Sequence, residues 1–169
     1  IGVAAIIGLG ALADGLQSGY GSMLQGTKAD LVLSQPDSFD LSYSTVEEAI
    51  GKELLEAPEI SAVSGMVQGF IQAENNPYFF VFGHTAGSFV TERFNIIQGT
   101  SLEEHPTTAL RGKPVLLGSA AAEVMDKTVG DSLRLSGSIY RIIGIYETGD
   151  AFEDSGAVLK LEDAQDLLG

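Results

Sequence analysis

The sequence predicts an α+β fold, and three observations carry that prediction. After Lys113 the chain reads as a fixed succession: short apolar run, Gly-Ser turn, brief helix, hairpin, loop, strand, helix. A helix signal at residues 44–57 stands between two strand candidates, at 31–34 and 60–73. Finally, the strands after residue 60 come as hairpins and do not alternate with long helices, which argues against a doubly wound parallel sheet.

Each element has its own local cause. Leu31, Val32 and Leu33 form a short apolar run, and Pro36, Asp37 and Asp40 make the following stretch a loop. Ser44-Thr45-Val46-Glu47-Glu48 offers a capping box in either register. The helix it opens repeats Val46, Ile50 and Leu54, with Leu55, on one face, and stops before Pro58. That stripe predicts a helix packed on a sheet. Residues 60–73 read as a long strand bent at Gly65 and Gly69, Asn75-Asn76-Pro77 as a turn, and residues 78–82 as its antiparallel return. Further on, Ser119 is expected to cap a helix over 120–126, and Val129-Gly130-Asp131 to break it. Gly137 then turns a hairpin between 132–135 and 138–146.

Composition removes several functional classes. The 169 residues suffice for one domain, or for a domain with an inserted subdomain. Nine basic residues against 23 acidic ones give a net charge of −14, and the basic residues are scattered. Nucleic-acid binding is therefore not expected, because it requires a basic face. With no cysteine there is no disulfide or thiolate metal site, although this does not fix the compartment.

No catalytic constellation emerges either. His84 and His105 stand far apart without partner ligands, so no zinc site is expected, and both read as surface or strand-edge residues. The stretch around Ser119 lacks the second glycine of a nucleophile elbow, and no phosphate-binding loop is present. Adjacent carboxylates such as Glu153 and Asp154 point to different sides of the chain. The run from Asp150 to Gly156 fails the calcium-loop pattern, with Phe152 at the third position and Ser155 in place of glycine. No catalytic, cofactor-binding or metal residue is assigned.

Leu117-Gly118-Ser119, Val129-Gly130-Asp131, Ile143-Gly144-Ile145 and Leu161-x-x-Ala164-Gln165 follow one another in order, preceded by Phe94-Asn95-Ile96-Ile97 and Gly99. In that order and spacing the chain resembles the extracytoplasmic core domain of MacB-like and FtsX-like ABC transporter permeases, a family that includes the LolC/LolE type. The resemblance implies a small strand-helix-strand, porter-like subdomain with an inserted, mostly antiparallel β subdomain. Residues 1–26 would be the outer end of the first transmembrane helix and its continuation, 27–75 the first half of the α+β subdomain, and 76–169 the mostly β subdomain. It also implies a non-enzymatic role that couples ATP-driven motion of the membrane helices to substrate or partner handling outside the membrane. The implied partners are a cytoplasmic ABC ATPase, a second permease, an extracytoplasmic adaptor or substrate protein, and the membrane itself. Family domains continue past the Leu-x-x-Ala-Gln helix, so an unpaired edge is expected at 31–34 or 60–73.

Residues 1–13, IGVAAIIGLGALA, are uniformly apolar. At about 1.5 Å per residue they fall short of a roughly 30 Å hydrocarbon core, which fits the end of a span better than a whole one. The same segment supports a rival. Gly8, Gly10 and Ala13 match the G-x-G-x-x-G/A dinucleotide fingerprint, with Asp37 as the ribose acid of a soluble Rossmann-type enzyme. Repeated glycines in the following helix and Pro36 at the strand end count against it. A third reading, an exported binding module tethered by its N-terminal helix, differs from a permease in lacking further apolar 20-mers downstream.

One loop invites an interaction role. Phe152 lies among Glu147, Asp150, Glu153 and Asp154 between two strands, so an aromatic group is expected in a mobile acidic segment that touches a partner. On that reading Phe152→Ala weakens partner recruitment and leaves the melting temperature within a few degrees.

Overall fold

A computed structural model describes residues 29–36, 44–74, 76–103 and 112–169. Among these residues there are three helices and seven strands: α1 (Glu48–Leu54), β1 (Met66–Ala73), β2 (Asn76–His84), β3 (Asn95–Gly99), β4 (Lys113–Gly118), α2 (Ser119–Met125), β5 (Ser132–Leu135), β6 (Ser138–Glu147), β7 (Ala157–Lys160) and α3 (Leu161–Leu168). Two 3₁₀ turns, Phe89–Arg93 and Glu153–Ser155, precede β3 and β7.

All seven strands form one mixed sheet in the order β3-β6-β4-β7-β2-β1-β5. β6 is its pivot, because it runs parallel to β4 on one side while the other side pairs antiparallel with β5 and then β3. β5 in turn meets β1 at Leu135 and Ala73, so the pairings close on themselves. Only β4 with β6 and β2 with β7 are parallel. This is the mostly antiparallel α+β arrangement expected, and it is not the doubly wound sheet that the Gly8, Gly10 and Ala13 fingerprint needs. Those residues lie outside the described ones, as do His105 and the whole of residues 1–26. Among the described residues no helix is long and apolar enough to cross a membrane.

Strand alternation divides the core in two. Phe79 and Val81 of β2, Val115 and Leu117 of β4, Ile142 of β6 and Leu159 of β7 face inward with α2 and α3. Phe80 and Phe82, Leu116, Tyr146 and Val158 face the other way, toward Phe94 and Leu102. Each such side chain taken fully out of water contributes about 1.5–3 kcal/mol. Lys113 Nζ ties α3 to β4 through Asp163 at 2.8 Å and Asp166 at 3.1 Å.

Local geometry departs from expectation at five places. Residues 31–34 join no strand, and Leu31 is 81% exposed. The strand expected over 60–73 begins only at Met66; Gly69 pairs regularly with Val81, and the irregularity falls between Ile71 and Ala73. Helix α1 is shorter than 44–57 and has neither a side-chain cap nor a buried residue, leaving Ile50 38% exposed. Its aliphatic stripe therefore does not pack on the sheet: Ser44 Oγ accepts the Gln35 N–H at 2.7 Å and does not cap the helix. Ser119 is the first residue of α2, with Gly118 as the cap. His84 is neither a surface nor an exposed strand-edge residue, being 1% exposed.

The hairpin at Ser136-Gly137 follows prediction, both residues taking the positive φ of a type I′ turn. Among the described residues the second side of β1, within the stretch where an unpaired edge was expected, meets a strand only at Ala73. Gly118 is held by a close approach: its N–H donates to Gly156 O at 2.9 Å, and a Cβ there would run into the Asp154 backbone. Gly118→Ala should destabilise by about 1–3 kcal/mol, the usual cost of overpacking, read as a fall of several degrees in Tm. An unchanged Tm would show that the loop after β6 yields freely.

Candidate functional site

The second face of the sheet carries a continuous aromatic surface. Phe80, Phe82 and His84 occupy alternate positions of β2 and so share that face. Phe70 stands opposite Phe80 across the β1–β2 pair, with ring centroids 4.8 Å apart, and Phe80 meets Phe82 at 4.7 Å. His84 stacks on Phe82 and tilts against Phe94 at 5.6 Å, and Phe94 packs edge-on to Tyr146 at 5.0 Å. Offset and edge-on pairs of this kind each contribute about 0.5–1.5 kcal/mol beyond their area.

The loop after β6 closes over this surface. Phe152, 41% exposed, sits on Phe80 at 4.7 Å and reaches Phe82 at 6.4 Å. The loop is also held from within. Asp154 Oδ1 accepts the N–H and hydroxyl of Thr148 at 2.7 and 2.8 Å, and Asp150 Oδ1 accepts the N–H groups of Phe152 and Glu153 at 2.9 and 3.1 Å. These carboxylates satisfy backbone donors that a turn would otherwise leave open. The segment is thus pinned, where a mobile one was expected.

The residue after Phe152 enters a buried ion pair. Arg93 Nη2 meets Glu153 Oε1 at 2.7 Å, with side chains only 8% and 4% exposed. Arg93 also lies over the Phe94 ring, 4.9 Å from its centroid, and the Tyr146 hydroxyl donates to Glu153 O at 2.6 Å. The pair joins the 3₁₀ turn before β3 to the loop before β7.

Burial dominates the electrostatics. It pushes the Glu153 carboxyl up, with Arg93 drawing it partly back, and it lowers Arg93 against the pull of Glu153. Burial also raises the Tyr146 hydroxyl well above its ordinary value. His84 is brought down to about 3, first by burial and then by the positive charge of Arg93. Neither of its ring nitrogens has a hydrogen-bond partner among the described residues.

The five residues expected to make a contact loop therefore divide. Glu147 and Phe152 are exposed and Asp150 is partly so, while Glu153 and Asp154 turn inward at 3% and 7% exposure. Sequence reading missed Arg93 and misplaced His84. The signal for His84 was its spacing from Phe80 and Phe82, and that for Arg93 its position in FVTERF beside Phe94. Among the described residues no group of three or more acidic, histidine or cysteine side chains is arranged to hold a metal ion. A separate open depression of about 410 Å³ lies between β3 and α2, lined in part by Glu123, Asp126 and Lys127.

A mixed sheet of this kind occurs in extracytoplasmic regions of ABC-type transporters. The periplasmic region of MacB from Actinobacillus actinomycetemcomitans is similar with a TM-score of 0.56 at 14% identity, over 79% of this chain and 65% of that one. The extracellular domain of the noncanonic ABC-type transporter YknZ from Gram-positive bacteria gives 0.52, also at 14% identity, over 70% and 64%. At such identity the likeness is one of fold, and the chain spans just under two thirds of the length of each. Curated protein sequences give no match. The sequence profile of the MacB-like periplasmic core domain matches residues 1–169, and the chain belongs to that family. The four motifs after Leu117 fall at the ends of β4, after α2, within β6 and in α3, the places that build this sheet.

Proposed function

We propose that this domain relays motion from the membrane part of an ABC permease to a protein outside the membrane, through the surface around Phe152. The carrying observation is a half-exposed aromatic ring, Phe152, packed on Phe80 of the sheet, with Phe70, 56% exposed, against the same Phe80, and Tyr78, two positions before Phe80 on β2, 78% exposed. Contiguous exposed aromatics on a fixed scaffold suit recognition, because few rotamers are lost when they are covered. In this reading ATP is hydrolysed by a cytoplasmic ATPase partner and the permease works beside a second copy or a related permease. Residues 1–26 carry the motion as the outer end of the first transmembrane helix, 27–75 are the first half of the α+β subdomain and supply Phe70 to the contact, and 76–169 form the mostly β subdomain that supplies the rest of the surface meeting an adaptor or substrate protein. Glu147 and Asp150 border the aromatic contact, and Glu153 and Asp154 hold the loop in place.

The test is a photo-crosslinking amino acid at position 152 of the full permease in cells. An extracytoplasmic protein or a neighbouring permease should be captured there, and not at Val124, an exposed α2 position. Phe152→Ala should abolish the equivalent capture from position 70 while costing the domain only about 1–2 kcal/mol, since the ring keeps one face in water. Equal capture at 124 and 152, or none at 152, would overturn the proposal.

A further inference from the structure

We propose that His84 is an acid-operated latch on the Phe152 loop: when its imidazole takes up a proton, the 3₁₀ turn carrying Arg93 and the loop before β7 part from β2, and the loop is released. The proposal adds regulation to the contact surface proposed above and rests on that reading for its biological meaning, although the opening belongs to the domain alone.

The geometry leaves a protonated ring no accommodation where it stands. His84 is 1% exposed, stacked on Phe82 and closed off by Phe94. Neither nitrogen has a hydrogen-bond partner among the described residues, so two N–H donors would be buried unsatisfied. The charged groups on the elements around it do not help. The 3₁₀ turn brings Arg93 and Glu92, and Glu103 beyond β3 lies near Thr91. The loop brings Asp150, Glu153 and Asp154, of which Glu153 is committed to Arg93 and Asp154 to Thr148. β6 brings Tyr146, a donor to Glu153 O. β7 brings another cation, Lys160, the register neighbour of His84. A second positive charge beside Arg93 would compete with it for Glu153, the buried carboxylate it pairs with.

Relief comes from hydrating the ring, and the parts that can move are unequal. β2 is fixed by ladders to β1 and β7. The five-residue turn and the loop, in contrast, lie against β2 through Phe94 and Phe152 and are joined to each other by the Arg93–Glu153 pair, the end of the loop being tied to β4 by the Gly118 N–H to Gly156 O bond. An imidazole held at about 3 when closed and at its ordinary 6.5 when open shifts the closed-to-open balance toward open as pH falls. By linkage the ratio of open to closed rises roughly thirtyfold between pH 8 and pH 5.

Amide hydrogen exchange on the 169-residue chain reads this directly. Between pH 8 and pH 5 the protection factors of Phe152 and Glu153 should fall roughly thirtyfold and stay well below those of Leu117 and Ile142 in the inner core, which exchange only through global unfolding. His84→Leu should remove the fall and Glu153→Gln should retain it. Constant loop protection, loop protection no lower than that of the inner core, or a fall that survives in His84→Leu would each overturn the latch. Should His84→Leu not fold, the ring's own NMR titration decides: an ordinary value with the loop still protected overturns it, and a strongly lowered one supports it. Failure of the crosslink at position 152 would leave this result untouched, so the two readings can fail separately.

Discussion

Glu153→Ala should be the most damaging of the single changes at this site, lowering stability by about 3–5 kcal/mol, because it leaves the Arg93 charge buried without its partner. The reason lies in the opposing shifts. Burial moves both groups toward their neutral forms, and the attraction between them recovers only part of that loss. Two charges taken out of water at the sheet face therefore cost more than their contact returns, and the pair persists only as a pair. It follows that removing both should be mild. Arg93→Leu combined with Glu153→Leu is expected to come within about 1 kcal/mol of the native protein or to exceed it, while each single replacement is severe. Chemical denaturation of the four proteins completes the cycle. Additive losses in the double variant would show that the two side chains act independently and that the ion pair does not join the turn to the loop.

The contrast between what was legible in the chain and what was not follows the range of the interactions. From β4 to β6 each boundary is set within a few residues: Gly118 at a helix start, Asp126 in the left-handed conformation at its end, Ser136-Gly137 in the hairpin. Such signals stay readable because neighbours in sequence decide them. Residues 44–57 show the opposite case. Val46, Ile50 and Leu54 have the spacing of a core face, yet α1 buries none of its residues, since spacing states only what a helix could cover. The pairings of β3 with β6 and of β2 with β7 join segments tens of residues apart, and no local pattern encodes them. The contact loop was partly readable. Phe152 drew notice as an aromatic among acids, but the division of those acids into Glu147, facing solvent, and Glu153, facing Arg93, depends on a turn some sixty residues earlier in the chain.

His84 by itself should cost the domain about 2 kcal/mol of stability between pH 7.5 and pH 5. Its folded value, about 3, lies below the 6.5 of an exposed imidazole, so the unfolded chain takes up the proton first. Stability from the neutral ring is thus complete above about 6.5 and declines as pH falls toward 3. At pH 5 the difference spans about 1.5 units, each worth about 1.4 kcal/mol. Glu153 acts in the opposite sense. Its folded value is raised, so the folded state binds that proton more readily than the unfolded one, and stability is gained as pH falls through the raised value toward the usual carboxylate range. The two slopes oppose each other in mildly acidic solution, and their difference is measurable because each can be removed alone. Urea titrations at pH 7.5 and 5 should show a smaller loss in His84→Leu than in the native protein, and a larger one in Glu153→Gln. A native domain as stable at pH 5 as at 7.5, with His84→Leu showing the same flat profile, would mean that the imidazole is already charged or hydrated in the folded state.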